Sequence, residues 1–361
     1  MVPSEAMARA LALAELAHGR TSPNPVVGCV IVADGRVVGE GYHHGPGQPH
    51  AEREALAVAG DRARGATLYC TLEPCCHHGR TPPCTDGIIE AGLARVVFGV
   101  LDPDPKVAGR GAEQLRTAGI AVEHGLLAAE IGRQLAAYLH HRRLGRPLVT
   151  AKWAMTLDGK LATTSGDSRW VSGPAARILV HELRDHVDAV LIGSGTALAD
   201  DPSLTVRLDQ PARPPRNPLR VVVDTHGRLP AGAKLLTDGL APTLWVVGES
   251  CDARDAGRAE LLRLPEVDGH VDLSALMTEL GSRGIVELLS EAGGHLTGSL
   301  LRAGLVDRVM AVIAPKLVGG DGPTPWDGPG REPMAAALRL TEAELTPAGD
   351  DWVVRGRLES R

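Results

Sequence analysis

Short runs of β-branched residues alternate with amphipathic helical stretches along nearly the whole chain, and this alternation constrains the fold more than any other feature. In the first half, a run over residues 26–32 turns at Asp34-Gly35, a pair typical of hairpins, and a helical pattern follows over residues 50–59. In the second half, a strand pattern over residues 148–155 precedes a helical pattern over residues 174–186. Because strands alternate with helices, the sequence predicts an α/β fold built of packed layers.

The length of the chain and one break in this pattern predict two domains. The chain has 361 residues, and a domain commonly has about 100–200. A single helix predicted over residues 126–143 ends at Leu144-Gly145-Arg146-Pro147, where glycine and proline interrupt regular structure. We therefore expect one domain over residues 1–145 and a second over residues 146–361. The alternating stretch 352–358 predicts an edge strand at the end of the second domain.

The composition disfavours a nucleic-acid partner. Lys and Arg total 38 against 44 Asp and Glu, so the formal net charge is −6, and the chain has only five Trp, three Tyr and one Phe. A nucleic-acid binder needs surplus cations to neutralise phosphates, and single-strand binders also need aromatic side chains on which bases stack. We therefore expect a small-molecule partner and no nucleic acid.

The distribution of charge also disfavours a membrane partner. No run approaches the ~20 apolar residues that a membrane span requires. The first twenty residues contain Glu5, Arg9, Glu15 and Arg20, so they lack the apolar block of a signal peptide. We expect a cytoplasmic protein without a membrane partner, and a homo-oligomer is compatible with this expectation. In that reducing compartment, four cysteines within residues 70–84 indicate metal binding or catalysis before disulfides.

One imidazole and two thiols form the strongest chemical signal. His50 begins a predicted helix, Cys75 follows Glu73-Pro74, and Cys84 begins another helix. An imidazole and two thiolates suit Zn²⁺, and three protein ligands leave a fourth position for water, as a catalytic zinc requires. Glu52, two residues after His50, is close enough to take a proton from that water and pass it on. His-x-Glu with Pro-Cys and a second Cys is typical of zinc nucleobase deaminases, although here the second cysteine lies nine positions after the first rather than three.

A structural zinc is the alternative to a catalytic one. The fourth ligand of a closed site would come from one of four nearby side chains, Cys70, Cys76, His77 or His78. Such a site has no need for Glu52, which favours the catalytic interpretation. Cys76 directly follows Cys75 and is more simply a packed or exposed thiol.

Two glycine-rich turns follow predicted strands in the second half. They are Gly193-Ser194-Gly195-Thr196 and the stretch from Ser290 to Ser299, which contains Gly293 and Gly294. Backbone N–H groups at such a turn can hold a phosphate. Neither turn has the dinucleotide fingerprint of the Rossmann fold, and such turns are common. On their own they leave a nucleotide cofactor and a structural turn both open.

Taken together, the motifs resemble the bifunctional deaminase/reductase family of riboflavin biosynthesis, in the cytidine-deaminase-like superfamily, over nearly the whole chain. The motifs of the first half are Pro23-Asn24-Pro25-Val26-Val27-Gly28, Pro49-His50-Ala51-Glu52 and Thr71-Leu72-Glu73-Pro74-Cys75-Cys76-His77-His78-Gly79-Arg80-Thr81-Pro82-Pro83-Cys84. Those of the second half are Lys152-Trp153-Ala154-Met155-Thr156-Leu157-Asp158-Gly159-Lys160, Ser168-Arg169-Trp170, residues 193–201 and Glu291-Ala292-Gly293-Gly294. This chain has Cys76 where the family more usually has serine.

The resemblance implies a cytidine-deaminase-like three-layer α/β/α domain followed by a dihydrofolate-reductase-like α/β domain. In the first, His50, Cys75 and Cys84 would hold one zinc ion and Glu52 would shuttle the proton. Asn24 would contact the substrate; the alternative is that Asn24 only supports the turn between its two prolines.

For the second domain, the resemblance implies an NADPH site and a substrate site. The residues lining NADPH would be Ala154, Trp170, Thr196, Asp200, Thr225, Gly293, Gly294 and Ser299. Those binding substrate would be Lys152, Ser168, Arg184, Leu204, Arg207 and Glu291. The two arginines suit a ribose phosphate, because the guanidinium fork matches its oxygens. Lys152 would donate to developing negative charge, or alternatively pack its stem at the edge of the core.

The implied function is a two-step conversion. The first step removes the amine at position 2 of a diaminopyrimidinone that carries a ribosylamine phosphate, and the second reduces the ribosyl chain to ribityl with NADPH. One competing hypothesis is a zinc deaminase that acts on a tRNA base or free nucleoside and has a non-reductase second half. Another is a zinc-stabilised binding module without catalysis. The net charge and the few aromatic residues disfavour the tRNA substrate.

Overall fold

The computed structural model describes residues 1–79, 81–211, 213–253 and 255–359. The chain divides into two compact units, Met1–Gly145 and Arg146–Arg361. Strands alternate with helices in both units, as the periodicity predicts. Within the described residues, no helix is both long enough and apolar enough to cross a bilayer.

The first unit contains a five-stranded sheet. Its strands are β1 (Gly28–Ala33), β2 (Arg36–Tyr42), β3 (Thr67–Leu72), β4 (Arg95–Val100) and β5 (Ala121–His124), in the order β2-β1-β3-β4-β5. Strand β1 is antiparallel to both of its neighbours, whereas β3, β4 and β5 are parallel. The helices are α1 (Pro3–Glu15), α2 (Ala51–Ala59), α3 (Cys84–Glu90), α4 (Arg110–Thr117), α5 (Ala128–Gln134) and α6 (Ala136–Leu144). The predicted hairpin is the β1–β2 pair, with Asp34 and Gly35 both at positive φ in its turn.

Helix α1 approaches strand β1 unusually closely. Its buried face consists of small residues, including Ala6, Ala10 and Ala14. A Cβ atom added at Gly28 would lie 1.9 Å from the carbonyl oxygen of Ala10, so only glycine permits this packing. The contact fixes the position of the start of β1. The Pro23-Asn24-Pro25 segment comes shortly before this point in the chain.

The single helix predicted over residues 126–143 is wrong, because the structure has two helices, α5 and α6, in that stretch. The break is at Leu135, whose φ of −86° and ψ of 5° lie outside the helical region. Leu135 is buried, as are Ile131 before the break and Tyr138 after it. The bend therefore lets apolar residues of both helices reach the same core.

The second unit contains a nine-stranded sheet. Its strands are β6 (Leu148–Thr156), β7 (Ala189–Gly193), β8 (Leu219–Val223), β9 (Thr243–Gly248), β10 (Glu260–Leu264), β13 (Glu287–Ser290), β14 (Arg308–Ala314), β15 (Leu340–Ala348) and β16 (Asp351–Leu358). The strand order is β10-β9-β8-β7-β13-β6-β14-β16-β15. Only β16 runs opposite to the other strands, so it is antiparallel to both of its neighbours, β14 and β15. A separate two-stranded ribbon pairs β11 (Glu266–Val267) with β12 (His270–Val271). The helices are α7 (Pro174–His186), α8 (Ser194–Asp200), α9 (Lys234–Thr237), α10 (Leu273–Ser282) and α11 (Gly294–Arg302).

After the neighbouring strands β7 and β13, the chain continues in opposite directions across this sheet. The chain passes from β7 through α8 to β8 on one side, and from β13 through α11 to β14 on the other. Ala197 of α8 packs on one face of the sheet, whereas Leu300 of α11 packs on the opposite face. Open α/β sheets bind ligands in the crevice outside the carboxyl ends of two such strands. The fold therefore creates a ligand crevice between β7 and β13.

The strand predicted over residues 352–358 is present as β16, but its predicted position at the edge of the sheet is wrong. Strand β16 lies between β14 and β15, and the edge is β15. Val353 at the interior of β16 is fully buried. Strand β15 was not predicted because its sequence, with three acidic or proline positions among nine residues, lacks an alternating β-branched pattern. Its pairing with β16 forms the strand in spite of that weak propensity.

Candidate functional site

Three potential metal ligands meet at one end of the first unit's sheet. His50 is the residue immediately before α2, Cys75 follows β3, and Cys84 is the first residue of α3. The Nδ1 atom of His50 lies 3.5 Å from Cys75 Sγ and 3.3 Å from Cys84 Sγ. One ligand atom from each residue lies within 4.8 Å of the other two. The three side chains thus converge on one point, as the ligands of a single ion do.

The electrostatics of this group suit a cation. The backbone N–H of Cys84 points at Cys75 Sγ across 3.4 Å, at the start of α3. A hydrogen bond from the Cys84 thiol, with another from His50, lowers the pKa of Cys75 to about 4 although burial opposes the change. Cys75 therefore loses its proton readily, and a bound metal would displace the remaining proton from Cys84. The donor set of one nitrogen and two sulfurs fits Zn²⁺.

A fourth side-chain ligand is absent from this group within the described part of the chain. Cys76, one of the candidates for a closed structural site, instead directs its thiol to the carbonyl oxygen of Lys106 at 3.6 Å. Arg80, in the same motif, lies outside the described residues. Three convergent ligands with an open fourth position are the arrangement of a catalytic zinc site.

Glu52 lies beside the three ligands in a cavity of about 310 Å³. Its side chain is only 4% exposed. Burial raises the pKa of Glu52, and the nearby Cys75 sulfur raises it further. A carboxylate whose pKa is raised accepts a proton more readily than an exposed glutamate does, which suits a proton shuttle.

Asn24 also lines this cavity, together with a histidine that the sequence analysis missed. The side chain of Asn24 lies 3.0 Å from His43 Nε2, and His43 Nδ1 lies 3.0 Å from the carbonyl oxygen of Pro49. Burial lowers the pKa of His43, which favours the neutral ring. The neutral ring can donate from Nδ1 to the carbonyl oxygen of Pro49 and accept at Nε2 from the Asn24 amide. This chain of hydrogen bonds fixes Asn24 at the cavity wall.

The opposite wall contains polar residues that sequence reasoning did not identify. Tyr138 of α6 donates to Asp102, with 3.0 Å between its hydroxyl and Oδ1, and Arg142 lies 3.7 Å from Asp104. Burial raises the pKa of Asp102. The signal available in the sequence was the pair of acidic residues at 102 and 104, directly after the carboxyl end of a predicted strand.

In the second unit, three of the predicted substrate residues form one buried charged cluster. Arg184 of α7 makes a bidentate pair with Glu291, with distances of 2.5 and 3.0 Å, and Lys152 Nζ lies 3.8 Å from Glu291 Oε2. Burial would raise the pKa of Glu291, but the charges of Arg184 and Lys152 outweigh it and lower the pKa to about 2. Burial lowers the pKa of Lys152; the Glu291 carboxylate opposes that effect and Arg184 adds to it.

The loop that carries Leu204 and Arg207 is anchored to this cluster. Arg184 donates to the carbonyl oxygen of Thr205 at 3.1 Å, and the backbone N–H of Arg207 donates to His181 Nδ1 at 3.3 Å. Leu204 is buried, at a φ of 49°, whereas Arg207 is exposed. The structure thus connects two sequence-predicted residues to Arg184 through the backbone.

The two glycine-rich turns meet at the β7–β13 crevice. A Cβ atom added at Gly293 would lie 3.5 Å from Thr196 Oγ1, whereas one added at Gly195 would meet open space. Gly294 begins α11, a nine-residue helix. A Cβ atom added at Gly294 would lie 2.2 Å from the carbonyl oxygen of Thr324, so this glycine permits a close packing contact. Gly195 and Gly293 therefore leave two adjacent backbone turns without side chains at these positions, which fits the phosphates of a dinucleotide.

The other predicted NADPH residues are less closely grouped. Thr225 is buried just after β8, Ala154 is half-buried on β6, and Asp200 is exposed at the end of α8. Trp170, 66% exposed, faces the guanidinium of Arg177 at 4.6 Å. The last of the predicted NADPH residues is Ser299, whose hydroxyl donates to the carbonyl oxygen of His295 within α11. Ser168, which is predicted to bind substrate, is half-buried two residues before Trp170.

Comparison with known proteins identifies the family. Residues 2–100 match the family model of the cytidine and deoxycytidylate deaminase zinc-binding region, and residues 147–354 match that of the RibD C-terminal domain. The riboflavin biosynthesis protein RibD of Escherichia coli is 45% identical over 355 residues, which cover 96% of each chain. The chain belongs to the RibD family. RibD of Synechocystis is 44% identical and covers 98% of this chain and 95% of the relative.

Solved structures agree with this membership of the RibD family. A structure of Acinetobacter baumannii RibD has a TM-score of 0.90 at 36% identity and covers 99% of both chains. A Thermotoga maritima structure, titled diaminohydroxyphosphoribosylaminopyrimidine deaminase/5-amino-6-(5-phosphoribosylamino)uracil reductase, has a TM-score of 0.85 at 35% identity and covers 98% of both. The expected cytidine-deaminase-like and dihydrofolate-reductase-like folds are confirmed.

Membership of the RibD family also confirms the type of enzyme. The chain is a bifunctional deaminase and reductase of riboflavin biosynthesis, and its cofactors are zinc and NADPH. The competing hypothesis of a tRNA or nucleoside deaminase with a non-reductase second half is not favoured.

For the metal ligands of this RibD family member, we expect Cys84→Ser to lower zinc content from about one ion per chain to near zero, because a serine hydroxyl does not replace a thiolate at zinc. Metal analysis of the purified protein measures this. Cys76→Ser is the matched control, since its thiol bonds to Lys106 rather than to the ligand group, and zinc should stay bound. Full zinc content in Cys84→Ser would remove Cys84 from the ligand set.

Proposed function

We propose that residues 1–145 remove the amine at position 2 of a diaminopyrimidinone ribosylamine phosphate, and that residues 146–361 then reduce the ribosyl chain of the product to ribityl. The observation that carries this proposal is the convergence of His50, Cys75 and Cys84 beside Glu52 in one cavity. The name of the Thermotoga relative, a deaminase and reductase of such pyrimidines, supports it. The enzyme would work in the cytoplasm on a small molecule, without a nucleic-acid or membrane partner.

For deamination, His50, Cys75 and Cys84 would hold the zinc ion. Zinc, when bound, supplies an activated water at neutral pH. Glu52 accepts a proton on its carboxylate, helped by its raised pKa, and delivers it to the exocyclic amine so that ammonia leaves. We assign to Asn24 a hydrogen bond with the pyrimidine, and the contact with His43 that holds its side chain supports this role. The buried wall around Glu52 limits loss of that proton to bulk water.

For reduction, residues at the β7–β13 crevice would hold NADPH. NADPH, when bound, supplies the hydride. We assign the cofactor to the turns at Thr196 and Gly293-Gly294, with Ala154, Trp170, Asp200, Thr225 and Ser299 around them. The ribosylamine would open to an imine as the anomeric carbon–oxygen bond breaks, the ring oxygen gains a proton and the nitrogen loses one. Transfer of a hydride to the former anomeric carbon and return of a proton to the nitrogen would then give the ribityl amine. We assign to Lys152 the donation of a proton to the ring oxygen as the carbon–oxygen bond breaks; its lowered pKa supports this role because it favours release of the proton.

Arg184, Arg207 and Glu291 would orient the substrate, with Ser168 and Leu204 completing the site. Arg184 is already paired with Glu291, so its guanidinium is held in one orientation before substrate arrives. A preoriented fork suits the oxygens of a ribose phosphate. The side chain of Arg207 is exposed and would supply a second cation.

The test supplies the full-length enzyme, zinc and NADPH with the diaminopyrimidinone phosphate or, separately, with tRNA. We expect one ammonia per pyrimidine, followed by loss of one NADPH, seen as a fall in the nicotinamide absorbance. NADPH should also be consumed when the deaminated intermediate is supplied directly. Ammonia release from tRNA alone would overturn the substrate assignment, and a flat nicotinamide absorbance with the intermediate would overturn the reductase assignment.

A further inference from the structure

The loop after β8, residues 224–229, lies at the same carboxyl edge of the sheet as the turn after β7, because β7 and β8 are parallel neighbours. It contains Thr225, which is assigned above to the cofactor, and an arginine that has no role so far, Arg228. We propose that Arg228 binds the 2′-phosphate of NADPH and thereby sets the preference of this enzyme for NADPH over NADH. This inference rests on the proposed reductase function and adds the residue that selects its cofactor.

Arg228 lies just after the end of β8, where the adenosine ribose of a dinucleotide is expected. In dinucleotide-binding α/β sheets, the pyrophosphate lies at the turn after one strand and the adenosine ribose lies near the end of the adjacent strand. Here β7 carries the glycine turn, and β8 is its neighbour. Arg228 Nη2 donates to Ser194 Oγ, in the turn after β7, at 2.5 Å. The guanidinium therefore bridges the two strand ends.

The surroundings of Arg228 favour a phosphate over a free ribose diol. A site for the unphosphorylated cofactor uses a carboxylate that accepts from the ribose hydroxyls. Asp224 is the only acidic residue in the 224–229 loop, and it is fully buried. Its Oδ2 accepts from the backbone N–H of Leu229 at 2.9 Å and from Trp245 Nε1 at 3.2 Å. That carboxylate is directed into the core and does not face the crevice.

The donors that remain match a phosphate group. The Arg228 side chain is 57% exposed, and its Nε lies 3.6 Å from Asp224 Oδ1, so the buried carboxylate orients a guanidinium that is otherwise open to solvent. A guanidinium has five N–H donors and can bind two phosphate oxygens at once. The hydroxyl of Thr225 accepts from the backbone N–H of Val271 at 3.1 Å, which leaves its own proton to donate to a third oxygen.

The test measures binding by calorimetry to the full-length, zinc-loaded protein. The ligands are NADP⁺ and NAD⁺, with adenosine 2′,5′-bisphosphate and 5′-AMP as fragments that differ only in the 2′-phosphate. For Arg228→Gln we expect at least about 10-fold weaker binding of NADP⁺ and the bisphosphate, because a charge-assisted hydrogen-bonded pair is lost. Binding of NAD⁺ and 5′-AMP should be unchanged, which also shows that the variant is folded.

The matched control is Arg283→Gln. Arg283 is an exposed arginine paired with Glu260 and Glu279. Glu260 is the first residue of β10, at the amino-terminal edge of the parallel strands, so this variant removes one positive charge at the edge of the sheet opposite the crevice. It should leave all four affinities unchanged. An unchanged preference for NADP⁺ in Arg228→Gln would overturn the role of Arg228 while leaving the reductase function intact. A wild-type protein that binds neither dinucleotide would overturn the inference and the proposed reductase function together.

Discussion

Glu52→Gln is expected to lower the rate of ammonia release by about 10²- to 10⁴-fold, the usual contribution of a general acid–base group, while zinc content stays at about one ion per chain. Glutamine has nearly the same size as glutamate, but its amide cannot accept a proton and return it. Glu52 is not among the three convergent ligands, so the metal site stays complete. Ammonia assays and metal analysis on the same preparation measure both effects.

Two comparisons isolate this effect. Glu90→Gln changes an exposed glutamate at the end of α3 and should leave ammonia release unchanged. NADPH consumption by Glu52→Gln, measured with the deaminated intermediate, should also match the wild type, since Glu52 belongs to the first unit. Normal deamination by Glu52→Gln would show that another group carries the proton.

The second large effect concerns the buried pair of Arg184 and Glu291. Glu291→Gln leaves the Arg184 guanidinium, whose side chain is 11% exposed, without its counter-charge. Removal of one partner from a buried ion pair typically costs about 3–5 kcal/mol. We therefore expect the free energy of unfolding of the second unit to fall by about that amount and NADPH oxidation to fall with it, while ammonia release is preserved. Denaturant titration and the two activity assays measure these changes.

The control for this variant is a second Arg–Glu pair on the surface. Glu279→Gln breaks the pair with Arg283 on α10, where the two side chains are 35% and 29% exposed. Exposed pairs of this kind contribute only about 0.3–0.5 kcal/mol. Equal effects of the two variants on the free energy of unfolding would show that burial of the Arg184–Glu291 pair has no energetic consequence.

The pH dependence of the wild type gives a further check on the same pair. The pKa of Glu291 is about 2 in the folded protein, below the value of about 4.3 in an unfolded chain. The unfolded state therefore binds the proton first, so the stabilisation is fully present above about pH 4.3 and is lost as the pH falls towards 2. The difference in unfolding free energy between wild type and Glu291→Gln should shrink over this range.

Elements that depend on the residues within one short segment could be predicted from the sequence. Helix α7 has the predicted bounds, because its apolar face recurs at helical spacing and Pro174 occupies the first turn. The metal-ligand residues were predicted for a similar reason. Each of His50 and Cys84 stands at the start of a helix, and the residue types alone restrict the chemistry.

Features that depend on distant contacts were not predicted. The bend at Leu135 follows from where the core lies, and β15 exists through its pairing with β16. The network of Asp102 and Tyr138 joins residues 36 positions apart. The pairing of Arg184 with Glu291 spans 107 positions, so the family resemblance suggested both residues but no periodicity showed that they touch.

The division of the chain into two compact units has a consequence for how such a protein changes over generations. Each unit buries its own apolar residues around its own sheet. A substitution that loosens one core therefore leaves the other free to keep its shape. Selection can consequently refine, weaken or discard one of the two chemistries without dismantling the other, although a single gene encodes both.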